Sequence, residues 1–285
     1  VEVGQGNEST TSSTPVVLYH PPIYLHEEGK RDGTITIYFE GILYTSQSGK
    51  SVEISLWNKT DDVQVVELAT TLTTPTRVRS GAITLTDGKE YWVKKRSSSG
   101  KTCSITGAKL IIQQSGTIIK TQLHKKISRY HNTTSSAYVL VGSQTYLNKA
   151  NLPASQTYYY QPVIKAATGT AYSDLYEIDT PSTVSGSEQS TTSTSHVRLR
   201  SGSLTLTDLK QYDSRIKTTG DMIYISTSWL IIDAIAQIIK EVTDSIGLTD
   251  AVLTHKTLGV TDSLQTTDTI LTHKTFSMED SITLT

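Results

Sequence analysis

The chain has 285 residues with 26 basic against 27 acidic side chains, and a formal charge of -1 supplies no cationic footprint for a phosphate backbone, which excludes nucleic acid as a partner. Its single cysteine, Cys103, excludes an internal disulfide or a zinc ribbon. No apolar run reaches the roughly 18 to 20 residues of a membrane-spanning helix, the most apolar stretch, Trp229–Ile239, being short and interrupted by Asp233, so no membrane insertion is expected.

In chain order, residues 1–15 are polar and Ser/Thr-rich and cannot bury enough apolar surface to fold alone, which predicts a flexible arm with the apolar end Val16-Val17-Leu18-Tyr19. Glu27-Glu28 beside His26 reads as a solvated loop. About 80 Ser and Thr residues, and 15 Tyr against 2 Phe, are the composition of half-buried strands. The start at Val1 rather than Met predicts a removed secretory signal and an extracellular or cell-surface location. Asn7, Asn58 and Asn132 then stand in Asn-x-Ser/Thr sequons as glycan acceptors.

From residue 16 onward, apolar residues alternate with period two: Ile35, Ile37 and Phe39, then Val52, Ile54 and Leu56, then Ile83 and Leu85, then Tyr91 and Val93. The runs are bounded by Asp32-Gly33, Ser48-Gly49 and Asp87-Gly88, so they predict strands joined by tight turns. The segment from Arg77 to Asp87 returns as Arg198 to Asp208, a shift of about 121 positions, and Tyr91 returns as Tyr212. Upstream, Tyr38 aligns with Tyr159, and Val52-Glu53-Ile54 with Ser173-Asp174-Leu175. Downstream, Leu110-Ile111-Ile112 aligns with Leu230-Ile231-Ile232, and because the counterpart Lys109–Ile119 has a strand-turn-strand pattern around Ser115-Gly116, the duplication argues against a helix over Trp229–Ile239. Ser182–Ser195 reads as a long loop. The expected fold is all-β: tandem antiparallel β-sandwiches over 16–120 and 121–240, immunoglobulin-like or jelly-roll, after an arm at 1–15.

Beyond Lys240 an 18-residue period takes over, 243–260 being echoed by 261–278, and it predicts a β-prone tail over 241–285. Asp244, Asp250, Asp262 and Asp268 recur in register and are candidate calcium ligands; otherwise no cofactor is expected. His255-Lys256 and His273-Lys274 could line up metal ligands, although a tandem repeat repeats every residue, ligand or not.

Arg79-Ser80-Gly81 and Arg200-Ser201-Gly202 are open to two readings, a guanidinium fork for a carboxylate or sugar, or a bulge that the Arg braces. Tyr158-Tyr159-Tyr160 and Trp57, Trp92 and Trp229 are open to sugar stacking or to packing, and strand alternation turns Tyr159 away from its neighbours. No nucleophile elbow, P-loop, zincin motif or glycosidase couple occurs, and Cys103 has no activating neighbour, so no enzyme is expected.

The duplicated Arg-Ser-Gly-x-Leu/Ile-Thr-Leu-Thr-Asp segment, followed by Thr-Asp-Ser-Ile/Leu and Leu-Thr-His-Lys-Thr repeats, resembles uncharacterised secreted microbial surface proteins, many of them archaeal. The resemblance implies an extracellular structural or filamentous role and no catalytic residue. A β-prone segment at either end also fits strand addition between subunits, with Val16, Val17, Leu18 and Tyr19 or Ile246, Leu248, Val252 and Leu253 as the assembling side chains. The partner expected is therefore the chain itself, in a head-to-tail fibre. The alternatives are a carbohydrate-binding or adhesive module, with glycans as partners, and a viral tail-fibre or capsid protein.

Overall fold

The computed structural model describes residues 1–235 except 98–99 and 153–154, and the side chains of these except at 5–7 and 151. The first half carries β1 (Glu2–Thr10), β2 (Val16–Val17), β3 (Tyr24–Leu25), β4 (Thr34–Thr45), β5 (Val52–Asn58), β6 (Val63–Thr70), β7 (Thr76–Ile83), β8 (Glu90–Ser97) and β9 (Cys103–Ser115). They form two antiparallel sheets, β1-β9-β4-β7 and β2-β8-β5-β6, with β3 also on β8. Alternation builds the core between them: Ile37, Phe39 and Leu43 of β4 meet Val52, Ile54 and Leu56 of β5 and Tyr91 and Val93 of β8. The turn glycines stand where positive φ is needed, as at Gly33 (φ 76), where a Cβ would come within 2.4 Å of the Ser115 carbonyl.

The second half repeats the order with β10 (Lys120–Ser128), β11 (His131–Thr133), β12 (Val139–Leu140), β13 (Thr145–Leu147), β14 (Ser155–Ala166), β15 (Ala171–Glu177), β16 (Ser182–Thr183), β17 (Gln189–Thr191), β18 (Val197–Arg198), β19 (Lys210–Thr218) and β20 (Ile223–Ile235). Its sheets are β10-β20-β14-β18, with β11 on β20, and β12-β19-β15-β16, with β13 on β19 and β17 on β15. β10 and β11 together answer to β1, β14 to β4, β18 to β7 and β20 to β9, and in each half these strands share one sheet while the remainder share the other. That is the strand order of a jelly roll, which decides between the two sandwich types expected. β20 takes in the apolar run from Trp229 to Ile235 as strand, as the duplication required.

Four expectations are corrected. Residues 1–15 are no free arm: β1 pairs with β9 as the edge of the first sheet, and Val3 is fully buried. The arm is too polar to fold alone but needs only a ladder and one apolar anchor, which β9 and the core supply. Val16 and Val17 pair with β8 of their own sandwich and Leu18 is buried in its core, leaving Tyr19 exposed. These residues are therefore engaged in their own chain instead of being free to join another. Ser182–Ser195 is not one loop, because β16 and β17 add two short strands to β15. Finally, β8 sets Tyr91 opposite Asn58, and β19 sets Tyr212 opposite Glu177, so Ile54 corresponds to Ser173 and Leu56 to Leu175. The segment joining β14 to β15 is shorter than that joining β4 to β5, and the sequence alignment slipped there by that difference.

Residues Val1–Gln237 form one compact unit. Among the described residues no helix is long and apolar enough to cross a membrane.

Candidate assembly surface

The two sandwiches meet through a loop and a sheet face. The loop joins β2 to β4 in the first sandwich and carries His20, Ile23, Glu27, Lys30 and Arg31; the face is the outer side of the sheet holding β10, β20, β14 and β18. Alternation aims Tyr158 and Tyr160 of β14 into the core and Tyr159, Gln161 and Val163 outward. Ile23 packs against Val163, Trp229 and Ile231 and makes the apolar centre of the contact. Around it, Arg200 reaches Glu27 at 2.7 Å, Lys30 reaches Asp233 at 2.7 Å and Arg198 reaches Glu90 at 2.9 Å. The Gln122 amide donates to both Glu27 and Asp233, and Arg31 donates to the Gln122 carbonyl at 3.3 Å. His20 stacks on Tyr130 and stands edge-on to His196. Burial lowers the pKa of His20 to about 4, with Glu8 opposing and Lys165 assisting, and that of His196 to about 3, with Lys165 and His20 assisting. His26 and Glu27 are therefore not a solvated loop: His26 is buried and Glu27 holds the two halves together.

In the first copy the Arg-Ser-Gly motif sits at a bulge, as one part of its structural reading expected, while the Arg packs on a tyrosine rather than bracing a turn. The Ser80 hydroxyl accepts from the Phe39 N–H at 2.9 Å and donates to the Gly81 carbonyl at 2.6 Å. Ser201 does the same for Tyr160 and Gly202 at 2.9 and 2.7 Å. Each hydroxyl thereby replaces a backbone partner; between β4 and β7 it does so where the register shifts. The Arg lies over a tyrosine, Arg79 on Tyr38 at 3.9 Å and Arg200 on Tyr159 at 4.1 Å. Among the described residues only Arg200 has the carboxylate that the fork reading required, and the loop of the first sandwich supplies it.

The sugar-stacking candidates divide. Tyr158, Tyr160 and Trp229 are buried. Trp57 and Trp92 face each other across β5 and β8, beneath Lys94 at 3.5 Å and Lys59 at 5.7 Å. A groove of about 380 Å³ opens beside Trp92, lined also by Tyr19, Lys59, Lys165 and His196. Among the sequons, Asn132 is exposed on β11, with its amide donating to Tyr130. Asn58 is corrected as an acceptor: it is buried at the end of β5, and its side chain both donates to Asp61 and accepts from the Asp61 N–H. The side chain of Asn7 lies outside those described.

Cys103 is buried and its thiol is pushed up to about 11 by burial, so it is inert. Among the described residues no group of three or more His, Cys, Asp or Glu could hold a metal ion. Asp244, Asp250, Asp262, Asp268, Ile246, Leu248, Val252, Leu253 and both His-Lys pairs lie outside the described residues. The junction itself was missed by sequence reasoning. The available signal was the departure of the two copies from each other at outward positions, such as Trp229 where the first copy has Lys109.

No family model matches this chain, and no curated protein matches it. Among solved structures, the chain is similar to the infectious bursal disease virus VP2 subviral particle at 9% identity and TM-score 0.29, covering 72% of this chain and 58% of that one. It is similar to the tandem CBM22 domains of Paenibacillus barcinonensis Xyn10C at 8% identity and TM-score 0.25, covering 75% and 81%. It is also similar to the PBSX exported protein XepA at 6% identity and TM-score 0.21, covering 81% and 85%. This chain thus spans little more than half the length of that VP2 chain. Scores this low carry no argument about function.

Proposed function

We propose that this chain is a structural subunit of an extracellular filament, assembled by head-to-tail contacts between molecules. One observation carries the reading: the tandem sandwiches already dock in a directional way, loop of the first onto face of the second, so each molecule ends with one such face and one such loop uncovered among the described residues. A heterologous contact of this kind does not close on itself and propagates as a fibre. The Ser/Thr-rich surface and the exposed sequon at Asn132 fit an exported chain. Engagement of Val16–Leu18 in their own sandwich favours docking of whole domains over strand donation from the N-terminal end.

A second reading has its own observation. The groove with Trp92, Tyr19 and two lysines is the shape and chemistry of a shallow site for an anionic glycan. Electron microscopy and size-exclusion chromatography of the full chain at neutral pH separate the readings. Filaments, or elution in the void volume, are expected; dispersed monomers that shift with a uronic-acid oligosaccharide would favour the glycan module, and closed shells would favour a capsid protein.

A further inference from the structure

The duplication assigns a covering to a face that nothing described covers. Tyr38, Glu40 and Ile42 on β4, Lys109, Ile111 and Gln113 on β9, and Arg77 and Arg79 on or beside β7 are the counterparts of Tyr159, Gln161, Val163, Trp229, Ile231, Asp233, Arg198 and Arg200. In the second sandwich this surface is closed: Val163 is 0% exposed and Trp229 1%. In the first it is open: Ile42 is 38% exposed and the Lys109 side chain 49%. The loop that closes the second face has its own counterpart, from Gly142 to the short 3-10 turn Lys149–Asn151, with Tyr146 48% exposed beside Gln211 on β19.

We propose that the outer face of β7-β4-β9 binds the Gly142–Asn151 loop of another molecule of this chain, in the geometry by which the first sandwich's own loop covers β18-β14-β20. This rests on the filament reading and names its contact.

Charge supports this pairing over the others. At the internal junction the loop side holds the carboxylates Glu27 and Glu90, while the face holds an amide, Gln161, which accepts from Arg198 at 3.2 Å. At the corresponding positions the exchange is reversed. The second loop side holds amides, Asn148 and Gln211, and the first face holds the carboxylate, Glu40, already paired with Arg77 at 2.8 Å and Lys109 at 3.1 Å. Gln113 stands where the second face has Asp233, so that carboxylate is absent from the first face. At these positions carboxylate and amide have changed sides, which fits the second loop, rather than the first, to the first face. A first-sandwich loop on a first-sandwich face would bring Glu90 against Glu40 and disfavour that register. Pairing of Tyr24 with Tyr91 and of Thr145 with Tyr212 makes Gln144 the counterpart of Ile23. An exposed amide thus stands where Ile23 is the internal anchor, which makes the contact between molecules more polar than the one within them.

The test uses the full chain with I42C and Q144C, the positions matching Val163 and Ile23. Cys103 remains as a buried, unreactive background. Mild oxidation of assembled material is expected to give a ladder of disulfide-linked multimers from the double variant and none from either single variant; Ile42→Glu is expected to abolish filaments while leaving the circular dichroism spectrum unchanged. Filaments that form normally with Ile42→Glu and give no ladder would overturn the assigned contact and leave the filament reading standing, and a dimer from I42C alone would replace it with a face-to-face contact. In unassembled I42C, rapid reaction with a maleimide is expected; protection there would mean that residues 236–285 cover the face and would overturn the proposal. A native chain that never polymerises would remove the filament reading itself.

Discussion

The two sandwiches share strand order and differ in what fills them. In the first, Phe39, Ile54, Val93 and Ala108 form an apolar centre. In the second the corresponding residues are Tyr160, Ser173, Ser214 and Ser228, all fully buried. Their hydroxyls form a chain: Tyr160 bonds to Ser173 and Ser214, Ser214 to Ser228, and Ser228 to Ser128, while Ser173 donates to the Arg215 carbonyl at 3.1 Å. The tyrosine hydroxyl lies where the first copy has the bulk of Ile54 and Val93, so shape and polarity changed together. A buried polar network of this kind is tolerable because every member has a partner. One backbone therefore accepts two solutions, provided the substitutions are made as a set.

That contrast can be broken first at the outer face. Trp229→Ala should destabilise the chain by about 3 to 5 kcal/mol, because Trp229 is enclosed by Ile23 and Ile231, whereas Lys109→Ala at the matching position should cost about 1 kcal/mol, since it removes one of two partners of Glu40 and leaves Arg77 in place. Urea unfolding of the full chain checks both, and equal effects would mean that the junction is not closed. Inside the cores, exchanging the aromatic residues should hurt in both directions. Phe39→Tyr places an unpartnered hydroxyl against Ile54 and Val93 and should cost about 1 to 3 kcal/mol. Tyr160→Phe removes one member of the hydroxyl chain while Ser173 keeps its carbonyl, and should cost about 1 kcal/mol. The Glu27–Arg200 pair, partly exposed, should show a coupling of about 1 kcal/mol or less in a double-mutant cycle.

How far the sequence could be read follows from the same contrast. Strand alternation, the turn glycines and the Arg-Ser-Gly repeat are local signals, and they led to the all-β sandwiches and to β20 as strand. The jelly-roll order depends on which distant strands pair, and period-two alternation is silent on that. Replacement of Ile54 and Val93 by serines erased the apolar pattern where the linker between β14 and β15 shortened, so the alignment slipped at Ser173. Glu27 looked like surface because its partners, Gln122 and Arg200, are 95 and 173 positions away. β1 was missed because an edge strand needs the ladder of its neighbour more than apolar residues of its own, with Val3 buried in the core and Val1 partly buried against it.

The smallest expected effect concerns pH and again separates the junction from the cores. His20, His196 and His124 all lie at the junction, and burial holds each pKa below the roughly 6.5 of an unfolded chain, with Arg31 and Arg200 adding to the effect at His124. A histidine with a lowered folded pKa is neutral in the folded chain, so its stabilisation is complete above about pH 6.5 and is lost as protons bind the unfolded state below it. The histidine contribution should therefore be flat from pH 8 to 7 and be lost from about pH 6.5 towards pH 4, while the Val1 amino group, lowered by burial to about 6, loses its own contribution between about pH 8 and 6. Asp174 and Asp213 in the second sandwich work in the opposite sense, because burial raises their pKa and protonation relieves them as pH falls. Glu40, held low chiefly by Arg77, adds to the loss only below the ordinary carboxylate range. The histidine and aspartate terms separate by variant: His196→Gln, which cannot titrate, should flatten the slope between pH 6.5 and 5 in urea titrations, while Asp213→Asn, which removes a carboxyl that protonation relieves, should not flatten it. A slope that survives replacement of His20, His26, His124 and His196 together by Asn or Gln would place the proton uptake in the cores, and the junction would not be the acid-sensitive seam of the molecule.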